Sequence, residues 1–183
     1  MDTKTSALLI TAAIEVRNKS LVKRNNTAVR LNDYKVTLRR WLTEQKSIGK
    51  LVFIECTGYP LDELKNIARD SNPYQKEVEF ISFVSSGRAL DDKSYGELTI
   101  MRYGLEHSRL LKDATHFVYA SGRAFIENID AIMAGAPENF HMISIFQNNL
   151  ANSQTDIFIT EKEFFNAHIY DYMLKTVDDK NGL

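Results

Sequence analysis

Short apolar runs alternate with segments of helical periodicity along the chain, and this alternation constrains the fold more than any other feature of the sequence. The runs are rich in β-branched and aromatic residues, which is typical of strands covered on both faces of a sheet. Five such runs are present: Ala7–Ile14, Lys50–Glu55, Val78–Val84, Thr115–Ala120 and Phe140–Phe146. Because strands that alternate with helices form parallel sheets with right-handed crossovers, we predict a single-domain α/β fold with a mainly parallel sheet flanked by helices.

The segments between and after the runs predict helices. Asn32 or Asp33 is expected to cap the first helix, and Pro60 is expected to open the second. The remaining helices are predicted at about Tyr95–Leu111, Asn128–Ala134 and Glu161–Lys175. The buried stripe of the last helix should comprise Phe164, Phe165, His168, Ile169, Tyr172 and Met173. His168 is therefore expected to be a core histidine rather than a ligand.

Length and composition suit one globular domain. The 183 residues are 44% hydrophobic and 26% charged, so the chain can bury a sizeable core without cross-links. We expect one domain over residues 1–176 and a polar tail over residues 177–183. The net charge of −1 argues against a nucleic-acid partner, since dedicated polyanion binders normally carry a basic excess.

Cysteine content and hydropathy restrict the compartment. Cys56 is the only cysteine, which excludes a disulfide framework and a multi-cysteine zinc site. No apolar stretch is long enough for a transmembrane segment, and no cleavable leader pattern follows the N-terminus. We therefore expect a cytoplasmic protein, and peripheral contact with a membrane surface stays open.

The loop after the first predicted strand is a candidate phosphate site. Ligands of parallel sheets lie beyond the carboxyl ends of the strands, and guanidinium groups chelate phosphate oxygens. The basic residues of this loop are Arg17, Lys19, Lys23, Arg24 and Arg30. The loop as a whole is a candidate diphosphate clamp, whereas any one of these residues taken alone is better explained as part of a solvated surface.

The second and fourth predicted strands also end in polar residues. Glu55 can accept hydrogen bonds from a ribose or a base, and Gly58 permits a tight turn or the close approach of a ligand. A capping acid in a turn explains the same pair equally well. The fourth strand runs into a Ser-Gly-Arg turn, Ser121–Arg123, from which the arginine projects at the proposed binding edge.

Two carboxylates are weaker candidates when taken alone. Glu97 should fall in the first turn of a helix, where the helix dipole favours a negative side chain. Asp156 opens the short apolar stretch Asp156–Ile159 before the last helix, where a cap or a surface charge is the ordinary explanation.

The histidines do not follow metal-ligand spacing. The sequence contains no P-loop, no Gly-x-Gly-x-x-Gly and no Gly-x-Ser-x-Gly motif.

Six segments covering most of the chain carry a resemblance to a known family. They are Leu8–Ile14, Arg30–Leu42, Phe53–Leu64, Lys93–Arg123, Phe125–Asp130 and Thr155–Phe165. Their most distinctive parts are a Gly-Tyr-Pro turn, a Tyr-Gly-Glu triplet and the Ser-Gly-Arg turn. Taken in order, the segments resemble bacterial capsule and O-antigen polysaccharide glycosyltransferases with a GT-A-like fold.

The resemblance implies a GT-A or Rossmann-like domain that moves a sugar from a nucleotide-sugar donor to a glycan acceptor during surface polysaccharide biosynthesis. The implied donor-binding residues are Thr11, Ala13, Glu15, Arg17, Arg30, Glu55, Gly58, Gly96, Ser121 and Gly122. The implied catalytic residues are Asp156, Glu97 and Arg123. Such a reaction needs the charge of the leaving nucleoside diphosphate to be neutralised by a divalent metal or by cationic side chains.

The chain departs from this family at the metal site. Many GT-A enzymes hold their metal with an Asp-x-Asp motif, and this sequence contains none. Three interpretations stay open: Asp156 and scattered carboxylates hold Mn²⁺ or Mg²⁺, Arg123 and the basic loop replace the metal, or the protein is not an active transferase. The alternatives outside the family are a nucleotidyltransferase, which usually needs a glycine-rich first loop, and a non-catalytic nucleotide- or sugar-binding module.

Overall fold

The computed structural model describes residues 6–16, 24–90, 92–147 and 152–180. The strands in these ranges are β1 (Ser6–Ala12), β2 (Lys50–Glu55), β3 (Glu77–Ser82), β4 (His116–Ser121), β5 (Met142–Gln147) and β6 (Asn152–Glu161). The helices are α1 (Thr27–Thr43), α2 (Asp62–Asp70), α3 (Lys93–His107), α4 (Arg109–Lys112), α5 (Ile129–Gly135), α6 (Lys162–Phe164) and α7 (Tyr170–Lys180). Across the same ranges, no helix is both long and apolar enough to cross a membrane.

The sheet confirms the predicted fold class. Its strand order is β3-β2-β1-β4-β6-β5. Strands β3, β2, β1 and β4 run parallel, while β6 and β5 add to one edge in antiparallel orientation. The register pairs Ala12 with Glu55 and Thr11 with Ser121. The carboxyl ends of β1, β2 and β4 therefore lie side by side at one edge of the sheet.

Strand β6 was not predicted from the sequence, and its presence is the main correction to the predicted sheet. Only its apolar part, Asp156–Ile159, was distinctive in the sequence, because the first half of the strand is polar. Pairing with β4 and β5 buries Phe158 and Ile159. Since β6 runs antiparallel to β4 and Ile157 pairs with Ala120, Asp156 lies near the carboxyl end of β4.

Helix α1 begins earlier than predicted. Asn26 Oδ1 accepts a hydrogen bond from Val29 N at 3.0 Å and caps the helix, so the expected caps at Asn32 or Asp33 are wrong. Val29 in this first turn is 41% exposed, so the turn adds nothing to the buried apolar stripe from which the helix was predicted. This extra turn carries Arg30 into the protein interior.

The long helix predicted at Tyr95–Leu111 is two helices divided at Ser108. Ser108 Oγ accepts a hydrogen bond from Leu111 N at 3.1 Å and caps α4. Helix α3 starts at Lys93, before the predicted start, and Asp92 Oδ1 caps it by accepting a hydrogen bond from Tyr95 N at 3.0 Å. Glu97 therefore lies in the second turn of α3 rather than in the first.

The C-terminal helical segment packs differently from the predicted stripe. A π-helical segment, Phe165–Ile169, lies between α6 and α7, and its wider turn changes the face that later residues present. Phe165 is fully buried, whereas Tyr172 is 70% exposed and His168 is exposed. The expected core position of His168 is therefore wrong.

Trp41 anchors α1 to the turn that follows β4. Its ring is fully buried, and its Nε1 donates a hydrogen bond to Ala124 O at 3.0 Å. The indole also packs edge-on against Phe125, with ring centroids 4.8 Å apart. Because Ala124 directly follows Arg123, these contacts hold the Ser-Gly-Arg turn against helix α1.

Candidate functional site

A cleft of about 380 Å³ opens at the carboxyl ends of β1, β2 and β4. Helix α1 forms one wall, and the start of α3 with the 3-10 turn Gly87–Leu90 forms another. Strand β6 contributes to the rim through Asp156. The cleft therefore lies where the topology of the parallel strands places ligands in α/β sheets.

Most of the predicted site residues line this cleft. They are Thr11, Ala13, Arg30, Gly96, Glu97, Ser121, Arg123 and Asp156. Glu15, Glu55, Gly58 and Gly122 are not among its lining residues, and Arg17 lies outside the described residues. The three residues predicted as catalytic thus surround one space, although they come from three different elements.

Arg30 is a buried cation at the cleft, with only 5% of its surface exposed. Its Nε donates to Ala13 O at 2.7 Å, its Nη1 donates to Arg24 O at 3.0 Å, and its Nη2 donates to the Tyr34 hydroxyl at 3.1 Å. No carboxylate of the described residues forms an ion pair with this guanidinium. A guanidinium carries five N–H groups, and buried charges are normally paired, so Arg30 has donor capacity left with which it can bind an anion.

Glu97 is held by hydroxyl groups from two strands. Thr11 Oγ1 donates to Glu97 Oε1 at 3.2 Å, and the Tyr119 hydroxyl donates to the same oxygen. Burial raises the pKa of Tyr119 well above its ordinary value, and the nearby charge of Glu97 raises it further. Tyr119 therefore keeps its proton at neutral pH and acts as a fixed donor. Glu97 Oε2 accepts no hydrogen bond from the described residues, so it can accept one from a ligand hydroxyl.

Arg123 is only loosely paired with protein. Asp33 Oδ2 lies 3.1 Å from Arg24 Nη1 and 3.9 Å from Arg123 Nη1. The longer distance is at the limit for an ion pair, and 36% of the Arg123 side chain is exposed. The guanidinium of Arg123 can therefore turn toward an anion in the cleft at little cost.

Asp156 is an exposed carboxylate on the rim of the cleft. Among the residues whose side chains are described, it has no hydrogen-bond or ion-pair partner. Its charge adds to burial and to Glu97 in raising the pKa of Tyr119. With no described partner, the Asp156 carboxylate can accept a proton from a hydroxyl bound at this rim.

Glu55 stabilises two loops of the fold. Its position at the end of a predicted strand was equally compatible with ligand binding. The side chain is fully buried. Its Oε1 accepts hydrogen bonds from Ile14 N at 3.1 Å and from the Thr57 hydroxyl, and its Oε2 accepts from Thr57 N at 2.9 Å and Tyr59 N at 3.0 Å. The carboxylate ties the loop after β1 to the loop after β2.

Two predicted glycines are required by packing. Gly58 adopts φ +75°, which favours glycine, and supports the tight turn after β2. A Cβ at Gly122 would lie 2.0 Å from Thr11 O and 2.6 Å from the Tyr34 ring. The Ser-Gly-Arg turn therefore fits directly against β1 and α1, and Gly122 acts by allowing this approach.

Four further residues with polar side chains line the cleft or position its lining and do not stand among the predicted site residues. Tyr34, Cys56 and Lys93 line it, and Tyr119 positions Glu97. Tyr34 and Tyr119 each lie within an apolar pattern that was assigned to the core. A hydroxyl within such a pattern near a ligand edge is the one indication that could have identified them, since buried tyrosine hydroxyls usually have a hydrogen-bond partner.

The only cysteine should be unreactive in the folded protein. Burial raises the pKa of the Cys56 thiol to about 11. We expect alkylation by iodoacetamide at pH 8 to be about 100-fold slower in the native protein than in the guanidinium-unfolded chain, because the thiolate is the reacting form. Mass spectrometry of the single adduct over time measures both rates, and comparable rates would contradict the buried, protonated thiol.

The described residues do not form a protein cage for a metal ion. No group of three or more His, Cys, Asp or Glu side chains within them could hold one. The cleft itself offers two carboxylates among its described lining residues, Glu97 and Asp156. Glu97 Oε1 already accepts hydrogen bonds from Thr11 and Tyr119, which leaves Glu97 Oε2 and the Asp156 carboxylate as the described acidic donors at the cleft.

Comparison with known proteins gives matches only at the level of structure. No protein-family model matches the chain, and no curated protein matches it in sequence. Among solved structures, the glycosyltransferase GlyE of Streptococcus pneumoniae matches with a TM-score of 0.55 and 9% identity, over 95% of this chain. Core-mannan synthase A of Aspergillus fumigatus, solved in a Mn/GDP form, matches with a TM-score of 0.53 and 11% identity, over 97% of this chain. The mannosyltransferase Ktr4p of S. cerevisiae matches with a TM-score of 0.51 and 12% identity, over 96%.

These similarities establish the fold. The chain has the α/β architecture of GT-A-type transferases, as predicted. It spans 38% of the pneumococcal protein, 65% of the Aspergillus protein and 60% of the yeast protein. At such low identity, a shared fold leaves the activity to be argued from the residues of the cleft.

Proposed function

We propose that this protein is a glycosyltransferase that moves a sugar from a nucleotide-sugar donor to a glycan acceptor in surface polysaccharide biosynthesis. The observation that carries the proposal is Arg30, a buried guanidinium that faces the ligand edge of the sheet without a described counter-charge. A nucleoside diphosphate supplies such an anion, and Arg is well suited to bind it. The GT-A-type fold supports a nucleotide-sugar donor over other phosphorylated ligands.

The reaction that we propose is a single displacement at the sugar. The bond between the sugar C1 and the oxygen of the β-phosphate breaks, and the nucleoside diphosphate leaves with the bonding electrons. The oxygen of an acceptor hydroxyl forms the new bond to C1, and its proton passes to the carboxylate of Asp156. Arg30 and Arg123 stabilise the charge that develops on the leaving diphosphate.

The remaining polar residues bind and orient the donor. Glu97 Oε2 accepts a hydrogen bond from a donor hydroxyl, while Thr11 and Tyr119 hold the carboxylate in place. Ser121, together with the backbone near Ala13 and Gly96, contacts the nucleotide. A cytoplasmic location is part of the proposal, since an unpaired cysteine such as Cys56 is typical of a reducing compartment.

A ligand screen tests the proposed function. The purified protein is heated with UDP-, GDP-, CMP- and dTDP-linked sugars and with the nucleoside triphosphates, each with and without manganese. A donor present at 100 times its dissociation constant should stabilise the fold by about 2.7 kcal/mol, which is visible as a rise in Tm. A selective rise with a nucleoside triphosphate instead would favour a nucleotidyltransferase, and no rise with any nucleotide would remove the proposal.

The Arg30 side chain should account for much of the donor affinity. We expect Arg30→Met to weaken binding of the donor found in the screen by at least about tenfold, since a charge-assisted hydrogen bond contributes about 1.5–3 kcal/mol. Arg39→Met is the matched control, because Arg39 lies exposed on the same helix. Calorimetric titration of both variants, after circular dichroism has shown that they are folded, makes the comparison. Equal affinity in the two variants would take Arg30 out of the site.

A further inference from the structure

The charges around the cleft favour a polyanion and disfavour a cation. The described lining residues include three cations, Arg30, Lys93 and Arg123, and two carboxylates, Glu97 and Asp156. One oxygen of Glu97 is already occupied by two hydroxyl donors. Asp33, a further carboxylate beside the cleft, is paired with Arg24 and Arg123. A divalent cation entering this space would therefore meet more positive than free negative charge.

Three separate elements supply the cations. Arg30 comes from the first turn of α1, Lys93 is the first residue of α3, and Arg123 follows β4. A lysine at a helix N-terminus is normally unfavourable, because the helix dipole places partial positive charge there. Lys93 and the N-terminus of the 15-residue helix α3 are both stabilised when an anion lies between them and the two guanidinium groups.

We propose that Arg30, Lys93 and Arg123 together neutralise the nucleoside diphosphate and that donor binding in this cleft does not require a divalent cation. The inference rests on the proposed function, because it concerns how the same cleft binds the same donor. Arg30 is held rigidly by two backbone carbonyls and Tyr34, so its geometry is set before the ligand arrives. Arg123 leaves its long contact with Asp33 to bind the phosphates, so Asp33 competes with the ligand for this guanidinium.

The three cations thus take the part that a metal ion plays in enzymes with a carboxylate-based metal site. A guanidinium can bind two phosphate oxygens at once, and a lysine adds a compact charge. The Aspergillus neighbour was solved in a Mn/GDP form. The described lining of this cleft has two carboxylates and three cations, a donor set that suits direct binding of the diphosphate.

Calorimetric titration with UDP, GDP, CDP and dTDP tests the inference. Each nucleotide is titrated into the full chain once in EDTA and once in manganese. We expect the tightest of them to bind in EDTA with an affinity within about threefold of that in manganese. Binding that weakens by tenfold or more in EDTA would overturn the metal-independent site and leave the proposed function intact. An absence of binding in both conditions would overturn both proposals.

Variants identify the cations responsible. We expect Arg123→Ala and Lys93→Ala each to weaken binding of that diphosphate in EDTA at least fivefold, and to leave affinity for the parent nucleoside unchanged. Arg123→Lys should recover part of the loss, and Asp33→Asn should tighten binding because it releases Arg123. Arg39→Ala is the control. Lys93 is exposed, so its variant should fold even if Arg123→Ala does not. Unchanged diphosphate affinity in Lys93→Ala would overturn the role of Lys93, and unchanged affinity in a folded Arg123→Ala would overturn that of Arg123.

Discussion

Replacing Glu55 with alanine should destabilise the folded protein by about 4 kcal/mol, since each buried donor left without a partner costs about 1–3 kcal/mol. The substitution removes the acceptor for the backbone N–H groups of Ile14, Thr57 and Tyr59. A whole domain is stable by only about 5–15 kcal/mol, so the loss should be a large fraction of the total. Urea denaturation followed by circular dichroism measures it.

Two further variants separate this effect from a general loss of charge. Glu106→Ala removes an exposed carboxylate that pairs with Arg102 on the surface of α3, and it should cost about 0.5 kcal/mol or less. Glu55→Gln keeps the volume but places an amide N–H₂ among N–H donors, so its effect should be intermediate. An unfolding free energy for Glu55→Ala within about 1 kcal/mol of the unmodified protein would show that the loops after β1 and β2 do not depend on this carboxylate.

Asp156→Asn should lower turnover by about 100-fold or more, in keeping with the 10²–10⁴ typical of a general base. The donor identified in the screen should bind with unchanged affinity, because Asp156 accepts the proton of the acceptor hydroxyl and does not hold the diphosphate. Release of nucleoside diphosphate measures turnover, with water or an added sugar as the acceptor. Asn is close to Asp in size, and Asp156 is exposed, so the variant should fold.

The matched controls for Asp156 distinguish a base from a binding residue. Asp113→Asn changes an exposed carboxylate at the end of α4 and should leave turnover and affinity unchanged. Glu97→Gln should weaken donor binding, since Glu97 is held by Thr11 and Tyr119 as an acceptor for the donor. If Asp156→Asn retains turnover within threefold of the unmodified protein, Asp156 is not the base.

The sequence predicted the central sheet well because its signal is local. Each of the four parallel strands, β1 to β4, overlaps its predicted counterpart. Strands β1, β2 and β4 are largely buried apolar runs, whereas the edge strand β3 contains Glu77 and Glu79 and is only partly buried. A continuous apolar run of strand length indicates a strand that is buried on both faces of the sheet. Strand β6 escaped prediction because half of it is polar, and its pairing with β4 follows from no short-range pattern.

The candidate site was predicted in part. Topology alone placed the ends of β1 and β4 at one edge, which brought Thr11, Ser121 and Arg123 to the cleft. Glu55 shared that position, yet it folds inward to bind three backbone N–H groups. The sequence offers equal support for both orientations of a carboxylate at a strand end, since the choice depends on which donors surround it.

By itself, the sequence determined the alternation of strands and helices, the parallel core and the edge of the sheet where polar residues collect. These follow from periodicity and from the handedness of the crossovers, which are properties of neighbouring residues. The tertiary structure alone decided that Arg30 is buried without a described carboxylate partner, that Asp33 restrains Arg123, and that Glu97 meets Thr11 across 86 positions of the chain. Such contacts depend on distances between residues that are remote along the chain, and no local pattern encodes them.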